Sequence, residues 1–286
     1  MIIFLSVLIG LLSMITFGAS NAFSKPLSKM VGPAQIIFLR SLISVIILGF
    51  ICLFTYKSLG SWQVILSAFG LGLAGYLPVL AFTHGIKESP LGIIAPIAGS
   101  APLITVILSF LFIGLVLHPA QWIAIILIIV ANIAVSVDVR NWRQSNFLKL
   151  SSGIPFALIA AFGWGVYSFV LIPISQQLGP WQSALLTELG VTVAAGLHIK
   201  LSAKKFNMQY ITNKKVIVNA LLVFVGVVSF TVGVSNFNVG IVAALSGSTA
   251  LVSMLIGMHH FNEKLKLKDR ISALAMIFSI AALSLL

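Results

Sequence analysis

The chain has 286 residues, of which 59% are hydrophobic and 8% charged, with a mean hydropathy of +1.14. A soluble domain of this size cannot cover its surface with so little charge, so most of the chain must face lipid or pack within a bilayer. The formal charge of +12 comes without an aromatic–basic platform and points to orientation in a membrane rather than to nucleic acid; the single cysteine, Cys52, excludes an intramolecular disulfide and a multi-cysteine metal site.

A membrane span needs roughly 20 apolar residues. In chain order the apolar runs predict spans at 3–23, 34–56, 63–84, 91–113 and 120–138, then 153–175, 181–199, 216–235, 239–260 and 270–286. Turn signals separate them at Gly32-Pro33, Gly60-Ser61, Ser89-Pro90, His118-Pro119 and Gly179-Pro180. The first run lacks the basic stretch of a signal peptide and lengthens into a full span, so it reads as a retained helix.

The two sets of five are copies. Gly18, Pro26, Ser28, Gly32, Pro33 and Gln35 recur as Gly165, Pro173, Ser175, Gly179, Pro180 and Gln182. Residue frequencies would give about one chance identity in such a window. Later, Gly92, Ala95, Gly99 and Ser100 recur as Gly240, Ala243, Gly247 and Ser248. The expected organisation is a first repeat at 1–140, a basic cytoplasmic linker at 141–152 and a second repeat at 153–286.

Loop charge sets the orientation. One side collects Lys25, Lys29, Lys87, Arg140, Arg143, Lys149, Lys200, Lys204, Lys205, Lys214, Lys215, Lys264, Lys266, Lys268 and Arg270, while the other has Lys57. The positive-inside rule places the basic loops in the cytoplasm and both termini outside. An odd number of spans per copy then turns the second copy upside down. The expected fold is all-α and integral to the membrane, with ten transmembrane helices as two inverted five-helix repeats. Such repeats support alternating access to a site between the halves.

The opening spans carry Phe17-Gly18 with Lys25 and Trp164-Gly165. The fourth and ninth spans are rich in small residues, and Asn262-Glu263-Lys264-Leu265 follows the ninth. Together these resemble the drug/metabolite transporter superfamily, in particular its ten-helix EamA-type members. The first half departs from the pattern, with Leu115 where the acidic residue of the turn is expected. The resemblance implies a carrier that moves a small metabolite or drug-like compound across the inner membrane, with export as the leading direction and uptake or exchange as the alternative.

Charges inside spans cost roughly 3 kcal/mol each and mark functional candidates. Arg40 and Glu188 enter from opposite faces to depths of roughly 10 and 12 Å in a core about 30 Å thick, within combined side-chain reach. They occupy adjacent repeat positions, Arg40 opposite Thr187 and Glu188 opposite Ser41. The expected substrate-binding set is Arg40, Glu188, Trp164, Tyr167, Tyr76, Asn21, Ser100 and Ser248. Glu188 and His84 are the proton-coupling candidates, and Gly92, Pro96, Gly99, Gly240 and Gly247 the gating candidates. For each, a plain structural role competes: Arg40 and Lys25 can snorkel, aromatic rings can form an interfacial belt, and glycines can simply pack helices. Asn132, Asn219 and Asn236 read as interhelical hydrogen bonders.

His259, His260 and Glu263 do not have zincin spacing, no nucleophile–base pair is visible, and no Gly-x-x-x-x-Gly-Lys-Ser/Thr run is present. The expectation is therefore a secondary transporter rather than an enzyme, with no cofactor, no metal site and no nucleic-acid partner. Its partners are a small-molecule substrate and the lipid bilayer, with possible proton coupling; the oligomeric state stays open. A membrane scaffold or lipid-handling protein is the rival class, and it predicts no polar groups converging at mid-depth.

Overall fold

The computed structural model describes residues 1–55, 61–89, 91–114, 116, 118–136, 153–202, 206–261, 267, 271 and 275. The expected tenth span at 270–286, the 141–152 linker, Leu115 and the Asn262–Leu265 turn fall largely or wholly outside these residues. A bilayer offers no water to backbone N–H and C=O groups, so apolar runs satisfy them internally as helices. The described helices are α1 (Ile2–Val31), α2 (Pro33–Thr55), α3 (Trp62–Glu88), α4 (Leu91–Ala98), α5 (Ala101–Ile113), α6 (Pro119–Ser136), α7 (Ile154–Leu178), α8 (Pro180–Leu201), α9 (Lys214–Asn236), α10 (Val239–Gly247) and α11 (Thr249–Phe261), with a short 3-10 turn at Met208–Thr212. Among the described residues, six helices and the run Val239–His260 across α10 and α11 are long and apolar enough to cross a membrane, seven segments in all.

The repeated Gly-Pro motif builds the same hairpin twice. Gly32 and Gly179 take φ of 89° and 83°, a region open to glycine at little cost. Their N–H groups close the preceding helices on Ser28 O at 3.0 Å and Ser175 O at 2.9 Å. Pro33 and Pro180 then start the next helices, where a missing N–H costs nothing.

The structure changes the reading of the fourth and ninth spans. Each was expected as one continuous helix, and each is broken, the fourth at Gly99-Ser100 and the ninth at Ser248. These breaks fall at matching repeat positions. Pro102 explains the first, because it cannot donate to Ala98 O. The second has Ala250 at the corresponding position and breaks without a proline.

Packing runs between the two sets of five. Opening helix α1 lies along α9, α10 and α11, while α7 lies along α3, α4 and α5. Between these, α2 packs on α8 and α9, and α8 on α3. Glycines make the approaches close. A Cβ on Gly18 would stand 2.8 Å from Thr249 O, and one on Gly165 would stand 2.8 Å from Ala101 O. The same two contacts carry hydrogen bonds, Ser253 Oγ donating to Gly18 O at 2.9 Å and Thr105 Oγ1 to Gly165 O at 3.0 Å. A side chain on Gly72 would likewise strike the backbone of Thr187, fixing α3 against α8. Asn219 bonds across to α1, at Ser20 O, Ser20 Oγ and Ser24 Oγ, as expected of an interhelical hydrogen bonder. Asn236 instead bonds to Val232 O within its own helix.

Candidate functional site in a central cavity

The helices enclose a cavity of about 190 Å³, lined from every described helix except α6. Its walls are built largely from matching positions of the two halves. Phe17 and Trp164 face it from the opening helices, Phe82 and Phe230 from α3 and α9, and Gly99 and Gly247 from the two broken helices. Trp164 lies against Phe82 with ring centroids 5.1 Å apart. The ring of Phe17 covers Gly226, and that of Tyr167 covers Gly75. Side chains larger than hydrogen at those glycines would push the aromatic walls inward.

Arg40 on α2 and Glu188 on α8 both line this cavity. They interact electrostatically, without closing a contact ion pair among the described residues. Arg40 Nε and Glu188 Oε2 are buried and have no hydrogen-bond partner. Ser41, on the helix of Arg40, approaches the Glu188 carboxyl, and Tyr167 approaches both Thr187 and Glu188. Ser246, a lining residue 8% exposed, carries a third unpartnered atom, its Oγ. A buried polar group without a partner costs about 1–3 kcal/mol, and more when charged. Three such atoms belong to residues that line one cavity, which suits it to a polar guest.

Of the expected substrate-binding residues, Arg40, Glu188, Trp164, Tyr167 and Asn21 line the cavity. Tyr76 does not. One step along a helix turns a side chain by about 100°, so Gly75 faces the cavity while Tyr76 packs beside Ile37, Val191 and Ala195. Its hydroxyl lies 2.6 Å from His198 Nδ1. Ser100 and Ser248 also lie outside the lining, because their hydroxyls turn back to Ile97 O at 2.7 Å and Ala244 O at 3.0 Å. His84 is stacked on Phe156 at 5.9 Å, away from the lining. Of the gating candidates, Gly99 and Gly247 reach the cavity. Gly240 is buried in α10, and Gly92 and Pro96 lie in α4 where their surroundings are outside the described residues.

Sequence reading missed Phe82, Phe230, Ser246 and Thr249 as lining residues. Once Gly92 is matched to Gly240, Phe82 falls opposite Phe230, so the repeat held that signal. Ser246 had none: it is one serine in a run of small residues.

Among the described residues the regular elements are all helical, and seven membrane-length apolar segments surround an internal polar and aromatic cavity, which makes this a multi-pass membrane protein. The EamA-like transporter family matches residues 4–137 and again residues 151–285, and the chain belongs to that family. A solved crystal structure superposes with a TM-score of 0.75 at 17% identity, covering 97% of this chain and 95% of its own. At that identity the likeness shows the fold alone. No curated protein matches.

Proposed function

We propose that this protein is a secondary transporter that carries a small charged or zwitterionic metabolite through alternating access, with export as its direction. The observation that carries this reading is the central cavity, where Arg40, Glu188 and Ser246 each present a buried atom without a partner. A non-transporting scaffold has no use for such groups at the meeting point of two halves. The family supports the transporter class. The cavity volume of about 190 Å³ favours a metabolite over a larger drug, since drug-sized sites run to about 300–1,000 Å³.

In the proposed mechanism Arg40 takes the anionic group of the substrate and Glu188 the cationic group, while Trp164, Phe82, Phe17 and Phe230 flank its apolar part. Arg40 Nε and Glu188 Oε2 lack partners when the site is empty, so a substrate that satisfies them removes a desolvation cost. The two five-helix repeats, 1–140 and 153–286 around the 141–152 linker, are read as inverted. The exchanged packing supports this: α1 meets α9 and α11, as α7 meets α3 and α5. Ten spans with basic loops inside give an inner-membrane protein with both termini outside. Rocking of the halves at the broken helices then opens the cavity to each side in turn.

Counterflow in liposomes tests the reading. A thermal-shift screen of the purified protein against small zwitterions, organic acids and amines supplies the ligands. Trans-loaded ligand is expected to accelerate uptake of its labelled form, and Glu188→Gln is expected to abolish that acceleration. Hits that bind without any counterflow would refute transport.

A further inference from the structure

The two broken helices cross at their breaks. Gly247 of α10 packs directly on Pro102 of α5, and a Cβ there would lie 3.2 Å from Gly99 O. Three differences between the halves converge on this crossing. Pro102 stands where the second half has Ala250, and it deprives Ala98 O of its helical donor. Ser246 stands where the first half has Ala98, and Thr249 where it has Ala101. Each difference adds oxygen capacity near the crossing, and Ala98, Gly99, Pro102, Ser246 and Thr249 all line the cavity. At the turn itself Leu103 N bonds Ser100 O at 3.0 Å, and Gly99 O is directed toward α10. Ser246 Oγ, nine-tenths buried, has no partner.

We infer that the crossing of the broken helices is a binding site for a monovalent alkali cation, held by Ser246 Oγ, Thr249 Oγ1 and the backbone carbonyls of Ala98 and Gly99. The donors are all oxygen, which suits a hard cation. They are all neutral, so they match a single positive charge; calcium and magnesium sites recruit carboxylates. No cluster of three or more His, Cys, Asp or Glu side chains able to hold a metal occurs among the described residues, which sets this site apart from a transition-metal centre. Each break is a tight turn closed by i to i+3 hydrogen bonds, and carbonyls released at such a break are tolerated inside a membrane where they line a cavity or coordinate an ion. Helices α2 and α8, which carry Arg40 and Glu188, pack on α9 and α3 rather than on the broken helices. The cation then shares the cavity with Arg40 and Glu188 but is held from different helices, and Ser246 serves the cation rather than the substrate. The site gives the transporter proposed above its coupling ion, although cation binding itself is measurable without transport.

The test is a thermal-unfolding titration of the purified full-length protein in choline chloride, replaced stepwise by lithium, sodium or potassium chloride at constant ionic strength. One alkali ion is expected to raise Tm to saturation. Ser246→Ala and Pro102→Ala are each expected to move the titration midpoint at least about tenfold higher, and Ser246→Thr to hold it near wild type. Equal Tm in all salts, or an unchanged midpoint in Ser246→Ala, overturns the site. Methylammonium chloride is a further arm, because the same oxygens accept N–H donors. Stabilisation by methylammonium alone overturns the metal assignment in favour of a substrate amino group. Glu188→Gln separates the two readings, since it is expected to abolish counterflow while leaving the cation titration intact. A protein that titrates but never shows counterflow loses the transport reading and keeps the site.

Discussion

Arg40 and Glu188 are held within electrostatic reach yet kept from contact, which leaves both available to a third party. A closed buried pair would satisfy itself and resist opening. Neutral replacement of one member strands the other, so Arg40→Gln is expected to cut counterflow by about tenfold or more and Glu188→Gln to abolish it, both with folding retained, as read by size-exclusion profile. Proton coupling through Glu188 is the rival to an alkali coupling ion and makes a separate prediction. A pH gradient alone should then accelerate uptake, and Glu188→Gln should flatten that response; equal rates with and without the gradient leave Glu188 a substrate ligand only. These two residues were legible in the sequence because charge inside an apolar run is conspicuous. Tyr76 and the serines Ser100 and Ser248 were misplaced for an equally physical reason. Facing the cavity is decided by helix rotation, and a difference of one residue redirects a side chain completely.

The broken helices are the elements on which the architecture turns. Hydropathy located both runs but not their breaks, because a break in a continuous apolar stretch leaves hydropathy unchanged. Pro102 marks one break in the sequence; the other has no such mark, and only the Gly99-Ser100 to Gly247-Ser248 match points to it. The segment after each break is clasped to an opening helix by a side-chain bond, Ser253 of α11 to Gly18 O and Thr105 of α5 to Gly165 O. Such bonds within membranes average about 0.6 kcal/mol. Ser253→Ala and Thr105→Val are each expected to lower stability by about that amount, and their double variant by the sum, because the two clasps share no residue. Thermal unfolding in detergent measures it. Strong coupling between them would show that the clasps open together.

For the whole molecule, the sequence resolved most span positions and the two-copy organisation, since both follow from composition and repetition. The cavity was not legible as a volume, because it arises where ten different helices meet. Orientation is open to direct measurement. In a Cys52→Ala background, Trp62→Cys at the start of α3 is expected to react with an impermeant thiol reagent from outside intact cells. Lys87→Cys at the other end of α3 is expected to react only after the cells are opened. The reverse pattern would invert the topology.

The exchanged packing of α1 and α7 bears on how the chain is assembled as it is made. Each opening helix finds its tightest neighbours in the other half, so the first half leaves the ribosome with its main seam uncovered. Neither half then amounts to a self-sufficient folding unit. Expressed as two polypeptides, 1–140 and 153–286 should each be degraded when alone and should co-purify when made together. Survival of either fragment by itself would mean that the seam is dispensable.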